Sequence, residues 1–180
     1  MRIIAGHAKG RRLRSPHGLA TRPMMDRVRE ALFSSLGARI PGSRVLDLYA
    51  GSGSLGLEAL SRGAESSVFV EQGRAALDAL RENVEMIGLD GVVVAVDVAS
   101  FLRSTPEQFD VVFVDPPYAL ELASVSEILE LITKKVSVGG TVVLHRPDGE
   151  EPPVEPPGLT CVDERRYGRT RLWRYEREMP

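Results

Sequence analysis

Short runs of consecutive apolar residues alternate along this chain with longer segments in which apolar residues recur every three or four positions. The runs predict buried β-strands and the periodic segments predict amphipathic helices. Five strands follow, at residues 44–49, 67–71, 92–96, 111–114 and 141–144. Because helical segments separate them, the pattern predicts a parallel, doubly wound α/β sheet.

Two segments lie outside this alternation. At the start, residues 2–6 and 11–14 predict a short hairpin, followed by a helix with Asp26 as its N-cap. At the end, residues 159–166 and 170–176 leave no room for a helix between them and predict an antiparallel hairpin, which brings the sheet to seven strands. Pro41 and Gly42 mark a boundary, so we divide the chain into an extension, 1–40, and a main domain, 41–180.

Composition limits the class of protein. With 180 residues and 43% hydrophobic content, one α/β domain with a substantial core is expected. No apolar run is long enough to span a membrane, and the first residues lack the apolar region of a signal peptide. Cys161 is the only cysteine, and His7, His17 and His145 lack metal-ligand spacing. We expect a cytoplasmic protein without a metal.

The charge is unevenly distributed. The whole chain carries a formal net charge of −2, yet residues 1–44 hold ten Lys or Arg residues against two acids. A basic arm on an acidic body predicts a polyanionic partner, with a solvated basic tail as the alternative. The candidate phosphate-binding residues are Arg2, Lys9, Arg11, Arg12 and Arg22.

The loop after the first main strand contains a G-x-G-x-x-G pattern at Gly51, Gly53 and Gly56. Glu71 lies twenty residues beyond Gly51, at the end of the second strand. Glycines allow the backbone to approach a cofactor closely, and the acid can accept hydrogen bonds from ribose hydroxyls. The pattern alone fits either a nicotinamide dinucleotide or S-adenosylmethionine.

Asp47 favours S-adenosylmethionine, because a carboxylate four residues before the first glycine would repel a pyrophosphate but attract an ammonium or sulfonium group. The closing antiparallel hairpin is likewise typical of Rossmann-like methyltransferases rather than dehydrogenases. The further cofactor-binding candidates are Tyr49, Ala50, Ser52, Gln72, Asp97, Val98 and Asp115. Asp97 has two open interpretations: it accepts a hydrogen bond from an adenine amino group, or it caps the following helix.

The strand at 111–114 runs directly into Asp115, Pro116, Pro117 and Tyr118. Prolines end a strand because they cannot donate to its ladder, so this loop lies at the carboxyl end of a central strand, where such sheets bind ligands. A carboxylate, backbone carbonyls and an aromatic ring together form a receptor for a base with an exocyclic amino group. We expect Asp115 and the Pro116 carbonyl to accept the amino hydrogens and Tyr118 to stack on the base. A strand end with a solvated carboxylate is the alternative.

These segments together resemble the RsmD-type methyltransferases, which modify the exocyclic N2 of one guanine in small-subunit ribosomal RNA. The matching segments are residues 2–6, 22–23, 26–33, 47–62 and 113–118, with 167–168 as a weaker match. The resemblance implies a Rossmann-like, class I S-adenosylmethionine-dependent fold. It also implies guanine 966 of 16S ribosomal RNA as the target, in a wholly or partly assembled small subunit. Met24 and Met25 depart from the family pattern, which usually has threonines there.

Three alternatives remain open from the sequence. An adenine-N6 methyltransferase acting on DNA or RNA would share the loop at 115–118 and differ in its base pocket. An oxidoreductase and a catalytically silent RNA-binding module are more distant. We expect a monomer, because no exposed apolar stripe is evident.

Overall fold

The computed structural model describes residues 1–16 and 24–178. A single seven-stranded sheet has the order β3-β2-β1-β4-β5-β7-β6. Its strands are β1 Arg44–Leu48, β2 Ser66–Glu71, β3 Gly91–Ala95, β4 Phe109–Val114, β5 Val136–Pro147, β6 Leu159–Tyr167 and β7 Thr170–Arg177. Strands β1 to β5 pair in parallel, whereas β7 is antiparallel to both β5 and β6. The predicted fold class and its closing hairpin are confirmed.

Five α-helices are present in the described part of the chain. They are α1 Asp26–Leu36, α2 Ser54–Ser61, α3 Arg74–Ile87, α4 Val98–Ser104 and α5 Leu122–Thr133. Gly88 ends α3 in the left-handed conformation, with φ of 69°, as its position after the periodic segment predicts. The helices α2 to α5 supply the connections between consecutive parallel strands, which places the carboxyl ends of β1 to β5 on one edge of the sheet.

Three sequence predictions about local structure were wrong in detail. Met25, not Asp26, is the N-cap of α1, because the Asp26 carboxylate accepts a hydrogen bond from Arg29 at 3.2 Å instead of from the helix backbone. Strand β5 begins at Val136, since residues 139–140 lie within it rather than before it. The two N-terminal strands reduce to one antiparallel bridge between Arg2 and Arg12.

The N-terminal hairpin (residues 1–14) has three backbone hydrogen bonds between its two arms, from the amides of Ile3 to Arg11 at 2.9 Å, Gly10 to Ile3 at 2.9 Å and Leu13 to Met1 at 3.0 Å, and it also bonds to α2. The Glu58 carboxylate accepts from the amides of Ile4 at 2.8 Å and Ala5 at 3.1 Å. The Ser61 hydroxyl accepts from the amide of Ala8 at 2.9 Å. At Gly6 the hairpin backbone lies so close to the end of α2 that an added Cβ would be 1.7 Å from the Ser61 carbonyl oxygen. The hairpin is therefore fixed against the main domain.

Apolar clusters cover both faces of the sheet. One face packs against α4 and α5, through residues such as Leu102 and Leu129. The other packs against α1, where Val28 and Leu32 share a cluster with Val143 of β5. A third cluster joins Ile3, Leu13 and Phe69 between the hairpin and helices α2 and α3. Residues before position 40 thus contribute apolar surface to the same core as the sheet.

Within residues 1–16 and 24–178, none of the helices has the length and apolar character needed to cross a membrane.

Candidate active site

Three of the predicted site carboxylates, Asp47, Glu71 and Asp115, lie at the carboxyl ends of neighbouring strands. Strand β1 pairs with β2 on one side and with β4 on the other. Backbone hydrogen bonds continue past the strands, from the Ala50 amide to the Val70 carbonyl at 3.1 Å and from the Asp115 amide to the Leu48 carbonyl at 3.4 Å. The loop after β1 therefore lies between the other two loops.

The glycine-rich loop (residues 49–53) has a tightly turned backbone. Tyr49, Gly51 and Gly53 all have positive φ, at 58°, 56° and 81°. A Cβ at Gly53 would lie 2.6 Å from a Leu80 methyl carbon, so the close packing of α3 requires this glycine. A Cβ at Gly51 would meet only the Tyr49 carbonyl oxygen, at 4.0 Å. Gly51 thus leaves open space where a ligand can approach the backbone.

Glu71 links this loop to the next one. Its carboxylate accepts from the amides of Gly51 at 2.9 Å, Gln72 at 2.8 Å and Gly73 at 2.7 Å. A carboxylate offers about four lone-pair sites, so capacity remains for one further donor such as a ribose hydroxyl. Gln72, a predicted cofactor-binding residue, is thereby placed at the start of the segment leading to α3.

Asp47 is buried beneath the glycine-rich loop, and its carboxylate accepts from the Gly56 amide at 2.8 Å. Burial raises the pKa of Asp47 well above its ordinary value; the Gly56 hydrogen bond opposes this shift and repulsion from Asp115 and Glu71 adds to it. Burial, followed by the nearby charge of Asp97, also raises the pKa of Tyr49 to about 12. The clustered carboxylates favour a cationic ligand and disfavour a pyrophosphate.

Asp97 was predicted either to bind an adenine amino group or to cap the following helix, and the structure shows the cap. The Asp97 carboxylate accepts from the Ser100 amide at 2.9 Å and precedes α4, whose first residue, Val98, is buried. That the other carboxylate oxygen of Asp97 accepts a hydrogen bond from an adenine amino group stays a prediction. Ala50 and Ser52, the remaining predicted residues of the glycine-rich loop, are both nearly buried.

In the predicted catalytic loop (residues 115–120, hereafter the catalytic loop), Asp115 is held by a histidine for which the sequence indicates no role. One Asp115 oxygen, Oδ1, lies 2.6 Å from Nδ1 of His145, which is buried on β5. The Tyr118 side chain is half exposed, with its ring centre 6.0 Å from that of His145. Pro116 is buried and Pro117 exposed. The four predicted catalytic residues are therefore together beside His145.

Arg146, also missed in the sequence, holds the backbone of the catalytic loop. Its guanidinium, 1% exposed, donates to the carbonyls of Pro117 at 2.9 Å, Leu120 at 2.8 Å and Tyr118 at 3.4 Å. It also donates to both carboxylate oxygens of Glu150, at 2.8 and 2.9 Å. The register of β4 with β5 pairs Val114 with Leu144, so His145 and Arg146 follow directly beside the catalytic loop.

These features can be compared with known proteins. The family described as conserved hypothetical protein 95 matches residues 1–176. This chain belongs to that family. The resemblance to the RsmD-type methyltransferases is thereby confirmed.

Two relatives of this RsmD-type chain carry the name ribosomal RNA small subunit methyltransferase D. The Escherichia coli protein is 42% identical over 119 residues, covering 66% of this chain and 60% of that protein. The aligned part thus spans less than two thirds of the E. coli relative. The Haemophilus influenzae protein is 33% identical over 174 residues, covering 93% of this chain and 89% of that protein. The solved structure of the E. coli methyltransferase-type protein yhhF superposes with a TM-score of 0.88 at 34% identity, covering 99% of this chain and 98% of that one.

The N-terminal hairpin of this RsmD-family chain lies next to the glycine-rich loop. Buried Asn83 of α3 donates to the carbonyls of Arg14 at 3.0 Å and Ser52 at 2.9 Å, and accepts from the Arg14 amide at 2.8 Å. One side chain thus joins the end of the hairpin to the loop predicted to bind the cofactor.

The predicted phosphate-binding residues differ in their surroundings. Arg2, Lys9, Arg11 and Arg12 are exposed on the hairpin. Arg11 also donates to the Met86 carbonyl at 2.8 Å. Arg22 lies outside the described residues. Over the described ranges, no three His, Cys, Asp or Glu side chains are grouped so as to hold a metal ion.

Proposed function

We propose that this protein transfers a methyl group from S-adenosylmethionine to the exocyclic N2 of a guanine in 16S ribosomal RNA. Family membership supports the coarser function, methylation of ribosomal RNA, because the curated relatives are named for it. The observation that carries the finer proposal is the catalytic loop. It presents a carboxylate, a buried proline and a half-exposed tyrosine directly beside an acidic cofactor site.

The glycine-rich loop and its carboxylates fit this cofactor. Open space over Gly51 admits the ligand, Glu71 has capacity for a ribose hydroxyl, and the carboxylates of Asp47, Glu71 and Asp115 at neighbouring strand ends suit a cation. We assign the remaining adenosine contacts to Tyr49, Asp97 and Val98. S-adenosylmethionine supplies, when bound, a methyl group already activated by its positively charged sulfur.

The protein must then position the amine. Its lone pair is delocalised into the guanine ring, so nitrogen is a weak nucleophile until its hydrogens are held. Asp115 and the Pro116 carbonyl each accept one N–H, which directs the lone pair toward the methyl carbon. With that pair the amine nitrogen would take up the methyl group that the cofactor supplies, the electrons of the old bond would stay on the sulfur, and the amine proton would be released to solvent water. The charge that develops on nitrogen meets the Asp115 carboxylate.

The base has to leave its stack to reach this loop. Tyr118 is placed to receive it, because its half-exposed ring offers an aromatic face beside Asp115. The residues that hold the surrounding RNA are assigned to the extension, residues 1–40, through Arg2, Lys9, Arg11, Arg12 and Arg22. Their support is the fixed position of the hairpin next to the glycine-rich loop. The resemblance to the RsmD-type methyltransferases implies a wholly or partly assembled small subunit as the natural substrate.

The test is methyl transfer from labelled S-adenosylmethionine to small ribosomal subunits that lack the modification. Deproteinised 16S ribosomal RNA and duplex DNA serve as parallel substrates, and the modified nucleoside is identified by mass spectrometry. N2-methylguanosine at a single position, highest in the subunit, is the expected result. N6-methyladenine would replace the proposal by the adenine-directed alternative. The absence of transfer to any substrate would contradict both.

A further inference from the structure

The imidazole of His145 is buried where the strand pattern calls for an apolar residue. It follows Leu144 on β5, is 3% exposed, and pairs in register with Leu172 of β7. Val143, two residues earlier and on the same face, is buried in the apolar cluster beneath α1. A polar ring at such a position loses its hydration, and this cost is offset only by the hydrogen bonds it makes.

The only hydrogen bond to this ring within the described residues goes to Asp115. Nδ1 of His145 lies 2.6 Å from Oδ1 of Asp115, whereas Nε2 is buried without a partner in that part of the chain. An Nδ1–H that donates to an ionised carboxylate accounts for this short contact. The other carboxylate oxygen, Oδ2, receives no hydrogen bond from the described residues, and the Asp115 side chain is about one third exposed.

We propose that His145 is a positioning residue that fixes the Asp115 carboxylate and leaves Oδ2 directed to the substrate amine. The inference rests on the proposed function, in which Asp115 accepts an amine hydrogen. Without the imidazole, the carboxylate can rotate about its Cβ–Cγ bond and be hydrated on both oxygens. The Asp115 carboxylate would then spend a smaller fraction of the time in the orientation that accepts the amine hydrogen.

The variant His145→Leu tests this role, because leucine fits the apolar surroundings but cannot donate. We expect kcat to fall by about 10- to 100-fold, the size of one charge-assisted hydrogen bond. The Kd for S-adenosylmethionine and the KM for the RNA substrate should stay within about twofold, since the His145 ring makes no hydrogen bond to the glycine-rich loop or to the hairpin in the described residues. His145→Asn retains an N–H close to the place of Nδ1 and should recover most of the lost rate.

The control is Val143→Ala, which weakens the same face of the same strand without touching the catalytic loop. The thermal unfolding transition of each variant is measured too, so that the fall in kcat can be compared with the loss of stability. A fall in kcat for Val143→Ala as large as that for His145→Leu would make the role of His145 structural and overturn the inference. A His145→Leu enzyme with normal kcat, or a His145→Asn enzyme as slow as His145→Leu, would overturn it as well.

Failure of the proposed function gives a different result. In that case the wild-type protein itself forms no N2-methylguanosine in the small subunit. Failure of the inference alone leaves the wild-type protein active and Asp115→Ala strongly slowed, with His145→Leu resembling the wild type. Assays of the wild-type protein and of these two variants therefore distinguish failure of the proposed function from failure of the inference about His145.

Discussion

The glycine-rich loop and the catalytic loop lie side by side, but opposite kinds of groups hold them. In the glycine-rich loop and its continuation, backbone amides donate to the carboxylates of Asp47 and Glu71. In the catalytic loop, backbone carbonyls accept from the guanidinium of Arg146. Two consecutive prolines explain the contrast, because they supply carbonyls without amides and so leave acceptors in excess. The carbonyls of such a loop need a hydrogen-bond donor from another part of the chain, and the guanidinium of Arg146 offers five N–H groups.

The largest effect is expected from removing the carboxylate of the catalytic loop. Asp115→Ala should lower kcat by about 10² to 10³-fold, the range seen when one preorganised electrostatic group is lost. Cofactor affinity should change little, because Glu71 and Asp47 remain. Single-turnover methyl transfer and calorimetric titration of S-adenosylmethionine measure the two quantities. Near-normal turnover would contradict the assignment of Asp115 as the acceptor.

Removing the donor that holds the same loop should instead affect stability. Arg146→Met leaves Glu150 and the carbonyls of Tyr118 and Leu120 without their donor, whereas the Pro117 carbonyl keeps the Leu120 amide at 2.9 Å. The variant should cost about 3 to 5 kcal/mol in the free energy of unfolding. Urea denaturation followed by circular dichroism measures it. Glu151→Gln is the control for the neighbouring acid, since Glu151 is exposed. A loss below about 1 kcal/mol would mean that the loop conformation does not depend on Arg146.

For the glycine-rich loop, the corresponding variant is Asp47→Asn, which keeps an acceptor for the Gly56 amide but cannot ionise. We expect the Kd for S-adenosylmethionine to rise by about tenfold, because a bound cation favours the ionised form of Asp47 and the variant has no such form. Titration calorimetry measures it, with Asp78→Asn on α3 as the control. An unchanged Kd would exclude Asp47 from cofactor binding.

Asp47→Asn should also change how the free energy of unfolding depends on pH. Burial raises the pKa of Asp47, so the folded protein keeps a proton that the unfolded chain releases. The free energy of unfolding therefore falls as pH rises from the ordinary aspartate value, about 4, through the raised folded value. Asp47→Asn should lack this decline and be at least as stable as the wild type at neutral pH. Parallel declines in both proteins would assign the effect to other groups.

The smallest effect is expected at the hairpin. Arg12→Ala should weaken RNA binding by only a few fold and reduce the salt dependence, with a slope of log K against log salt smaller by about one. Arg103→Ala on α4 is the control, because Arg103 is exposed on another element. Filter binding over a range of salt concentrations measures both. Identical slopes for the two variants would exclude Arg12 as a phosphate contact.

The contrast between the loops also explains what the sequence could predict. The succession of strands and helices, the glycine turn, Asp47 and Glu71 follow from local patterns, because each is read from residues close together in the chain. His145 and Arg146 act on residues about thirty positions earlier, and their contact depends on the register of β4 and β5. That register shifts between Phe109 and Val111, which no periodicity in the sequence indicates.

The departure at Met24 and Met25 has a partial structural account. Met24 is buried and joins the apolar cluster beneath α1, whereas the Met25 side chain is 62% exposed. A threonine in place of Met24 would fill less of that cluster. Nothing in the structure explains the exposed methionine.

The docking of the N-terminal hairpin has a consequence for how the protein is made. Residues 4 and 5 find their hydrogen-bond partner at Glu58, and Arg14 finds its partner at Asn83. Since a chain is synthesised from its N-terminal to its C-terminal end, the hairpin residues must wait until α3 has been synthesised before they reach their final place. These contacts have high sequence separation and close large loops, which makes their formation slow relative to the local helices. The hairpin is therefore expected to be translated before its partners in α2 and α3 and to be among the last segments to fold.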